Sequence, residues 1–252
     1  MSYLENSRPV TLTELARMRA EGEKIAVLTC YDSSFAALLE RNGVDVLLVG
    51  DSLGNVLQGH GSTLPVTLKQ MAYHTGCVAR GANRPFLMAD MPFGSYQESP
   101  AQAMRSAVAL IAAGAQMVKL EGGAYMAETV RFLVERGVPV CAHIGLTPQS
   151  VNQLGGYRVQ GKTRAAAQLM KEDALVLEQA GAALLVLEMV PSALAAEISE
   201  SLTSMATTGI GAGVGDHVQL TVADGTVWRA SLLSYVLPLL LAIGAAAIGQ
   251  FA

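Results

Sequence analysis

The chain reads as a (β/α)₈ barrel, and three features of the sequence carry that reading. Apolar runs of strand length alternate with longer segments of helical period. The runs are nearly continuous in apolar residues, the pattern of a parallel sheet covered on both faces. Several helical segments end on a glycine shortly before the next run (Gly43, Gly114, Gly137 and Gly181), where glycine supplies the left-handed conformation that stops a helix. A length of 252 residues agrees, since such barrels typically take about 250.

In chain order the strand-like runs are KIAVLTCYD (24–32), VDVLLVGDS (44–52), PFLMADMP (85–92), MVKLEGG (117–123), VPVCAHIG (138–145), ALLVLEMVP (183–191) and TTGIGAG (207–213). The helical segments between them include SSFAALLERNG (33–43), ESPAQAMRSAVALIAAGA (98–115), AETVRFLVERG (127–137) and RAAAQLMKEDALVLEQAGA (164–182). Two closures are open to this repeat, a doubly wound sheet and a barrel. Seven runs so closely spaced favour the barrel. The first strand is not followed by Gly-x-Gly-x-x-Gly, and GIGAG arrives last, which speaks against a dinucleotide fold. The alternating stretch HVQLTVADG (217–225) suits the eighth strand position.

Composition narrows the function. A hydrophobic content of 51% provides a sizeable core, and a net charge of −4 without any Lys/Arg-rich block excludes nucleic acid as a partner. The three cysteines, Cys30, Cys77 and Cys141, form no close pair and read as reduced thiols of a cytoplasmic protein. The opening MSYLENSRPV is polar and offers no secretory h-region. The other end differs: residues 230–252 carry no charged side chain, a length sufficient to span a bilayer.

The strand ends carry the chemistry. In order they present Asp32, Asp51 with Ser52, Asp90, Lys119 with Glu121, His143, Glu188, and the glycines from Gly209 to Gly213. In a barrel these ends converge on one rim, where active sites of this architecture lie. Single acids after strands are commonly helix caps, but five of them, a lysine and a histidine make a pocket. Clustered carboxylates repel and are costly to bury unless a cation joins them. Oxygen donors without a Cys/His set point to a hard cation, Mg²⁺, with Asp51 and Asp90 as its ligands. An α-keto acid would fill the open positions, with Ser52 and backbone amides on its carboxylate. Lys119 would either neutralise the substrate or pair structurally with Glu121. Glu188 ends the longest apolar strand, where burial raises a carboxyl toward the pKa that a base for a C–H bond needs; the alternative is a glutamate paired with Lys119 or a histidine. His143 would contact substrate or Glu188, or serve the fold. His60 and His74 read as simple polar contacts.

Six collinear segments, VGDSLG, GHGSTLPVT, ADMPFGSY, MVKLEGG, HIGLTPQSVNQLGGYRVQGKT and LLVLEMVP, resemble the ketopantoate hydroxymethyltransferase family from about residue 8 to about residue 213. The resemblance implies a barrel of the phosphoenolpyruvate-mutase type and a homo-oligomer, the family decamer. It implies Mg²⁺-dependent hydroxymethyl transfer from the co-substrate 5,10-methylenetetrahydrofolate to 3-methyl-2-oxobutanoate, giving 2-dehydropantoate for pantothenate biosynthesis. By the same resemblance Asp51, Asp90 and Glu121 serve the metal, Asp51, Ser52, Asp90 and Lys119 bind the keto acid, and Glu188 is the proton acceptor. His143 supports them. A C–C lyase or phosphomutase of the same superfamily is the alternative within the enzyme class.

The sequence departs from the family pattern in two places. Gly61 stands where a polar residue is more usual, so one loop contact is expected to be missing. After residue 213 the tail, 214–252, is atypical and is similar to an RseC-type membrane segment, so the eighth βα unit is expected to be atypical or incomplete. That tail carries the alternative of a different class, an inactive barrel associated with a membrane through 230–252.

Overall fold

The computed structural model describes residues 8–210. All seven strand-like runs form strands: β1 (Val27–Thr29), β2 (Val46–Val49), β3 (Phe86–Asp90), β4 (Met117–Glu121), β5 (Val140–Gly145), β6 (Leu184–Glu188) and β7 (Ala206–Ile210). Each lies parallel to the next, and spatial order follows chain order from β1 to β7. A doubly wound sheet would reverse its order at a switch point. Sequential order without a reversal is that of a barrel. The expected eighth strand at 217–225, the boundary between 213 and 214, and the apolar run at 230–252 lie outside the described residues.

Nine α-helices connect and flank the strands of the described residues: α1 (Leu12–Ala20), α2 (Ser33–Arg41), α3 (Leu53–Val56), α4 (Leu68–Gly81), α5 (Pro100–Ala112), α6 (Ala127–Val134), α7 (Val151–Leu154), α8 (Arg164–Gln179) and α9 (Ser192–Ser201). The four helical segments read from the sequence correspond to α2, α5, α6 and α8, and the glycine closing each has positive φ. Side-chain caps start many of the helices. Thr11, Asp32, Thr67, Ser99 and Thr163 each accept a hydrogen bond from the backbone N–H three residues on, satisfying a donor that the helix leaves unpaired. None of these helices is long and apolar enough to cross a membrane.

Strand alternation divides the core in two. Leu47, Val49, Leu87, Ala89, Val118, Leu120, Val140, Ala142, Leu185 and Leu187 face outward and pack under the helices. Val46, Leu48, Phe86, Met88, Met117, Cys141, Leu184 and Val186 face inward and fill the barrel. From β2 to β6 both faces are buried, which explains why these strands read as continuous apolar runs. At the strands' N-terminal end the interior is closed by Val10 and by Leu15 and Met18 of α1. This helix, not anticipated from the sequence, seals the floor.

Leu15 is 1% exposed, so Leu15→Ala opens a cavity beneath the barrel. We expect a stability loss of about 2–5 kcal/mol in urea unfolding, the range for a buried leucine truncation. A loss below about 1 kcal/mol would remove α1 from the core.

Candidate active site

The period of two that fills the barrel also builds its rim. Continuing the inward-facing positions toward the strand ends, Phe86 and Met88 lead to Asp90, Met117 leads to Lys119 and Glu121, Cys141 leads to His143, and Leu184 and Val186 lead to Glu188. Register sets these side by side, with Asp90 opposite Lys119 and Glu121 opposite His143. After β2 comes Gly50, where a Cβ would meet Ser52 Oγ at 2.6 Å and Asp90 Oδ2 at 3.6 Å. Glycine there lets the next loop close down on Asp90.

Asp51, Asp90, Lys119, Glu121 and His143 are each under 5% exposed. Lys119 Nζ lies 2.8 Å from Asp90 Oδ1 and 3.2 Å from His143 Nδ1. The Asp51 backbone N–H donates to Asp90 Oδ2 at 3.0 Å. His143 Nδ1 is 3.6 Å from Glu121 Oε1, and its Nε2 is 3.3 Å from Glu188 Oε2 without the alignment of a full hydrogen bond. Lysine can only donate, so Nδ1 is the acceptor and the ring proton resides on Nε2, facing Glu188. Burial, followed by the charge of Lys119, holds the His143 pKa far below its ordinary value. The ring is therefore neutral at pH 7.

The carboxylates outnumber the cation. Burial, then the neighbouring Asp90, push Asp51 up to about 7 against the pull of Lys119. Burial likewise pushes Glu121 up to about 8, with Lys119 opposing and Asp51 and Asp90 adding. Glu188 rises to about 7 through burial, again against Lys119. Burial by itself would lower the Lys119 pKa, but Asp90, Glu121 and Asp51 more than offset it and keep the ammonium charged. Lys119 is thus paired with Asp90 rather than with Glu121, and Glu188 neighbours a histidine rather than the lysine.

Four carboxyl groups around one ammonium and one neutral imidazole leave oxygen donors in excess, which fits a hard divalent cation. Among the described residues no three or more His, Cys, Asp and Glu side chains form a ready-made cage. Asp51 and Asp90 together match the one or two carboxylates that Mg²⁺ takes when water and substrate oxygens complete its shell. Glu121 is engaged elsewhere as well, its Oε2 accepting from the Gln149 backbone N–H at 3.0 Å.

The frame around Glu188 is tight. Its carbonyl accepts from Leu146 N at 2.7 Å, and that of the next residue, Met189, accepts from Gln160 N at 2.9 Å. A Cβ at Gly145 would meet the Glu188 carbonyl oxygen at 2.3 Å, and Gly145 has φ +94°, so a side chain is excluded on both grounds. Met189 has φ +46°, rare for a non-glycine residue and a sign of strain held by its surroundings. The Glu188 side chain is 17% exposed, the most open of the four rim carboxylates.

Asp32 does not join the rim. It is exposed, and its Oδ1 accepts from Phe35 N at 2.8 Å as the N-cap of α2. β1 ends at Thr29, three positions before it, so the chain has already turned into the helix. Four carboxylates meet, not five. His74 makes a simple polar contact, Nδ1 to Tyr31 O at 2.8 Å, and His60 is exposed. At Gly61 a Cβ would meet nothing within 4 Å, so this loop leaves room for a side chain. All three cysteines are free.

Three residues here were not read from the sequence. Tyr31 Oη and Ser52 Oγ are 2.9 Å apart, so the serine is oriented by the residue beyond β1. Tyr96 and Gln149 are buried beneath the rim and link its loops. They sit in ADMPFGSY and LTPQS, segments with no periodicity that would mark a single residue as buried.

The fold and this rim define an α/β barrel with a buried acid–lysine site. It resembles 2,3-dimethylmalate lyase, a member of the PEP mutase/isocitrate lyase superfamily, at TM-score 0.61 and 17% identity over 84% of this chain and 76% of that one. A phosphonopyruvate hydrolase solved with oxalate and Mg²⁺ superposes at TM-score 0.55 and 12% identity, over 89% and 99% of the respective chains. Identities this low speak for the fold alone. The sequence narrows it: the family model for ketopantoate hydroxymethyltransferase matches residues 9–228, and the chain belongs to that family. A 3-methyl-2-oxobutanoate hydroxymethyltransferase of Azoarcus sp. (strain BH72) is 75% identical over 222 residues, 88% of this chain and 82% of that protein. That of Aromatoleum aromaticum is 73% identical over 84% and 79%.

Asp32→Ala removes a cap and nothing else. We expect a loss of about 0.5–2 kcal/mol in stability with turnover per folded molecule unchanged. A fall in turnover would return Asp32 to the site.

Proposed function

We propose that the chain transfers a hydroxymethyl group from 5,10-methylenetetrahydrofolate to 3-methyl-2-oxobutanoate, giving 2-dehydropantoate, with Mg²⁺ at Asp51 and Asp90 and Glu121 close by. The observation that carries this reading is the rim itself: a half-open carboxyl, Glu188, faces a buried acid–lysine cluster across the mouth of one barrel. The ion, when bound, supplies electrophilic stabilisation for negative charge developing on the keto oxygen. The exposed apolar side chains Val108 on α5 and Leu169 on α8 suit the family's homo-oligomeric state.

The chain's own residues would divide the work. Asp51 and Asp90 hold the cationic centre, and Ser52, oriented by Tyr31, donates to the substrate carboxylate. Lys119 stays charged and sets a positive potential beside the keto acid. Glu188 accepts the C3 proton of 3-methyl-2-oxobutanoate, leaving the substrate as its enolate to attack the one-carbon unit; water supplies the hydroxyl oxygen, and the methylene's two bonds to folate nitrogen break to release protonated tetrahydrofolate. The neutral His143, with Nε2–H facing Glu188, steadies the carboxylate form of the base.

Glu188→Gln preserves shape but cannot take a proton. Deuterium exchange at C3 should slow at least about 10²-fold while keto-acid binding survives. The carboxylate is the active form and its pKa is about 7, so wild-type exchange should rise with pH through that value and level off above it. Near-wild-type exchange in the variant would place the base elsewhere.

Mg²⁺ removal should abolish exchange in the wild-type protein, and Asp51→Ala should weaken metal-dependent keto-acid binding, because the ion loses one of its two carboxylates. Unchanged metal affinity in that variant, measured by calorimetry, would move the metal away from Asp51.

A further inference from the structure

Gln149 follows β5 in a single 3₁₀ turn, Pro148–Ser150, and is 5% exposed. Its side-chain amide meets four partners from two other loops. Nε2 donates to Asp51 Oδ2 at 2.8 Å and to the Met91 carbonyl at 2.9 Å. Oε1 accepts from Tyr96 Oη at 2.7 Å and from Gln97 Nε2 at 3.2 Å. The orientation of the amide is dictated by chemistry, because a carboxylate and a carbonyl can only accept. The Tyr96 hydroxyl accepts from Glu121 N at 3.0 Å, and its one proton has the shorter contact to Gln149 Oε1, 2.7 Å against 3.3 Å to the Glu121 carbonyl. The Gln149 backbone N–H donates to Glu121 Oε2.

Resting on the reading above, we propose that Gln149, locked by Tyr96, is a positioning residue that holds Asp51 and Glu121 at a fixed separation across the rim. The two carboxylates come from different strands and repel, so neither keeps its rotamer through the other. The neutral side-chain amide holds Asp51 and the backbone N–H of the same residue holds Glu121, so both are fixed without added charge. The amide engages Asp51 through Oδ2 alone. Outer-shell groups that fix a ligand carboxylate in this way typically contribute 10–100-fold in metal affinity. Glu188 lies outside this network, held by Leu146 N and by the strand.

The test uses the full chain with Mn²⁺ as a spectroscopic probe, titrated by electron paramagnetic resonance without substrate, together with C3 exchange kinetics. Gln149→Met keeps the volume and removes the amide; Mn²⁺ affinity should fall about 10-fold or more. The keto-acid KM should rise more than kcat falls, because the base is held separately. Tyr96→Phe, the milder variant, should weaken Mn²⁺ about 2–10-fold, through loss of the hydrogen bonds to Gln149 Oε1 and from Glu121 N. The double variant should lose less than the sum of the two single losses, since the tyrosine acts largely through the amide. Lowered Tm in both variants with unchanged Mn²⁺ affinity and KM would overturn the inference and leave Gln149 as a strut. Additive losses would overturn the coupling to Tyr96. A wild-type chain that neither binds Mn²⁺ nor exchanges C3 would instead overturn the functional reading, and this inference with it.

Discussion

Burying an ammonium costs several kcal/mol in lost hydration, and among the described residues Lys119 is the one lysine or arginine buried in this way. Asp90, 2.8 Å away, offsets that cost directly, and Glu121 and Asp51 add to it through space. In return the lysine lets three carboxyl groups sit at the end of an apolar barrel. His143 is kept neutral largely by the same burial and the same cation, which also selects its tautomer. Remove the charge of Lys119 and the remaining acids repel without compensation. The rim's geometry and its protonation states both follow from this one buried pairing.

The second constraint is backbone, not charge. Glu188 must project over the mouth while its carbonyl is hydrogen-bonded by Leu146, and only a glycine at 145 allows the two chains to approach so closely. The left-handed Met189 turns the chain away immediately afterwards. Strain of this kind persists where surrounding contacts over-determine it, and here the Gln160 N–H holds the Met189 carbonyl. This turn leaves the Glu188 carboxyl partly exposed, while Asp51, Asp90 and Glu121 remain beneath.

Prediction from residues succeeded where a physical period governs the pattern. The seven strands were legible because burial on both faces leaves unbroken apolar runs such as Val46–Val49, bounded by glycines that terminate helices. Asp51, Asp90, Lys119, Glu121, His143 and Glu188 were legible because each stands at or just beyond the end of such a run. Asp32 obeyed the same pattern and was misplaced, since a strand that stops at Thr29 and a helix that needs an N-cap look identical in one dimension. The helix α1 went unread because it closes the floor of the barrel with only Leu15 and Met18 buried, too sparse an apolar stripe to stand out. Tyr96 and Gln149 lie in loops, where no period distinguishes a buried side chain from an exposed one.

Alternation and helix-stopping glycines are local rules, so parallel strands, their number in residues 24–210 and the inward acids could be settled along the chain. Which acids meet could not. Asp51 and Gln149 lie 98 positions apart and touch, and Lys119 faces Asp90 rather than its near neighbour Glu121. Those choices depend on the stagger between strands and the closeness of loops, quantities that arise only when the sheet curves and brings distant ends to one rim.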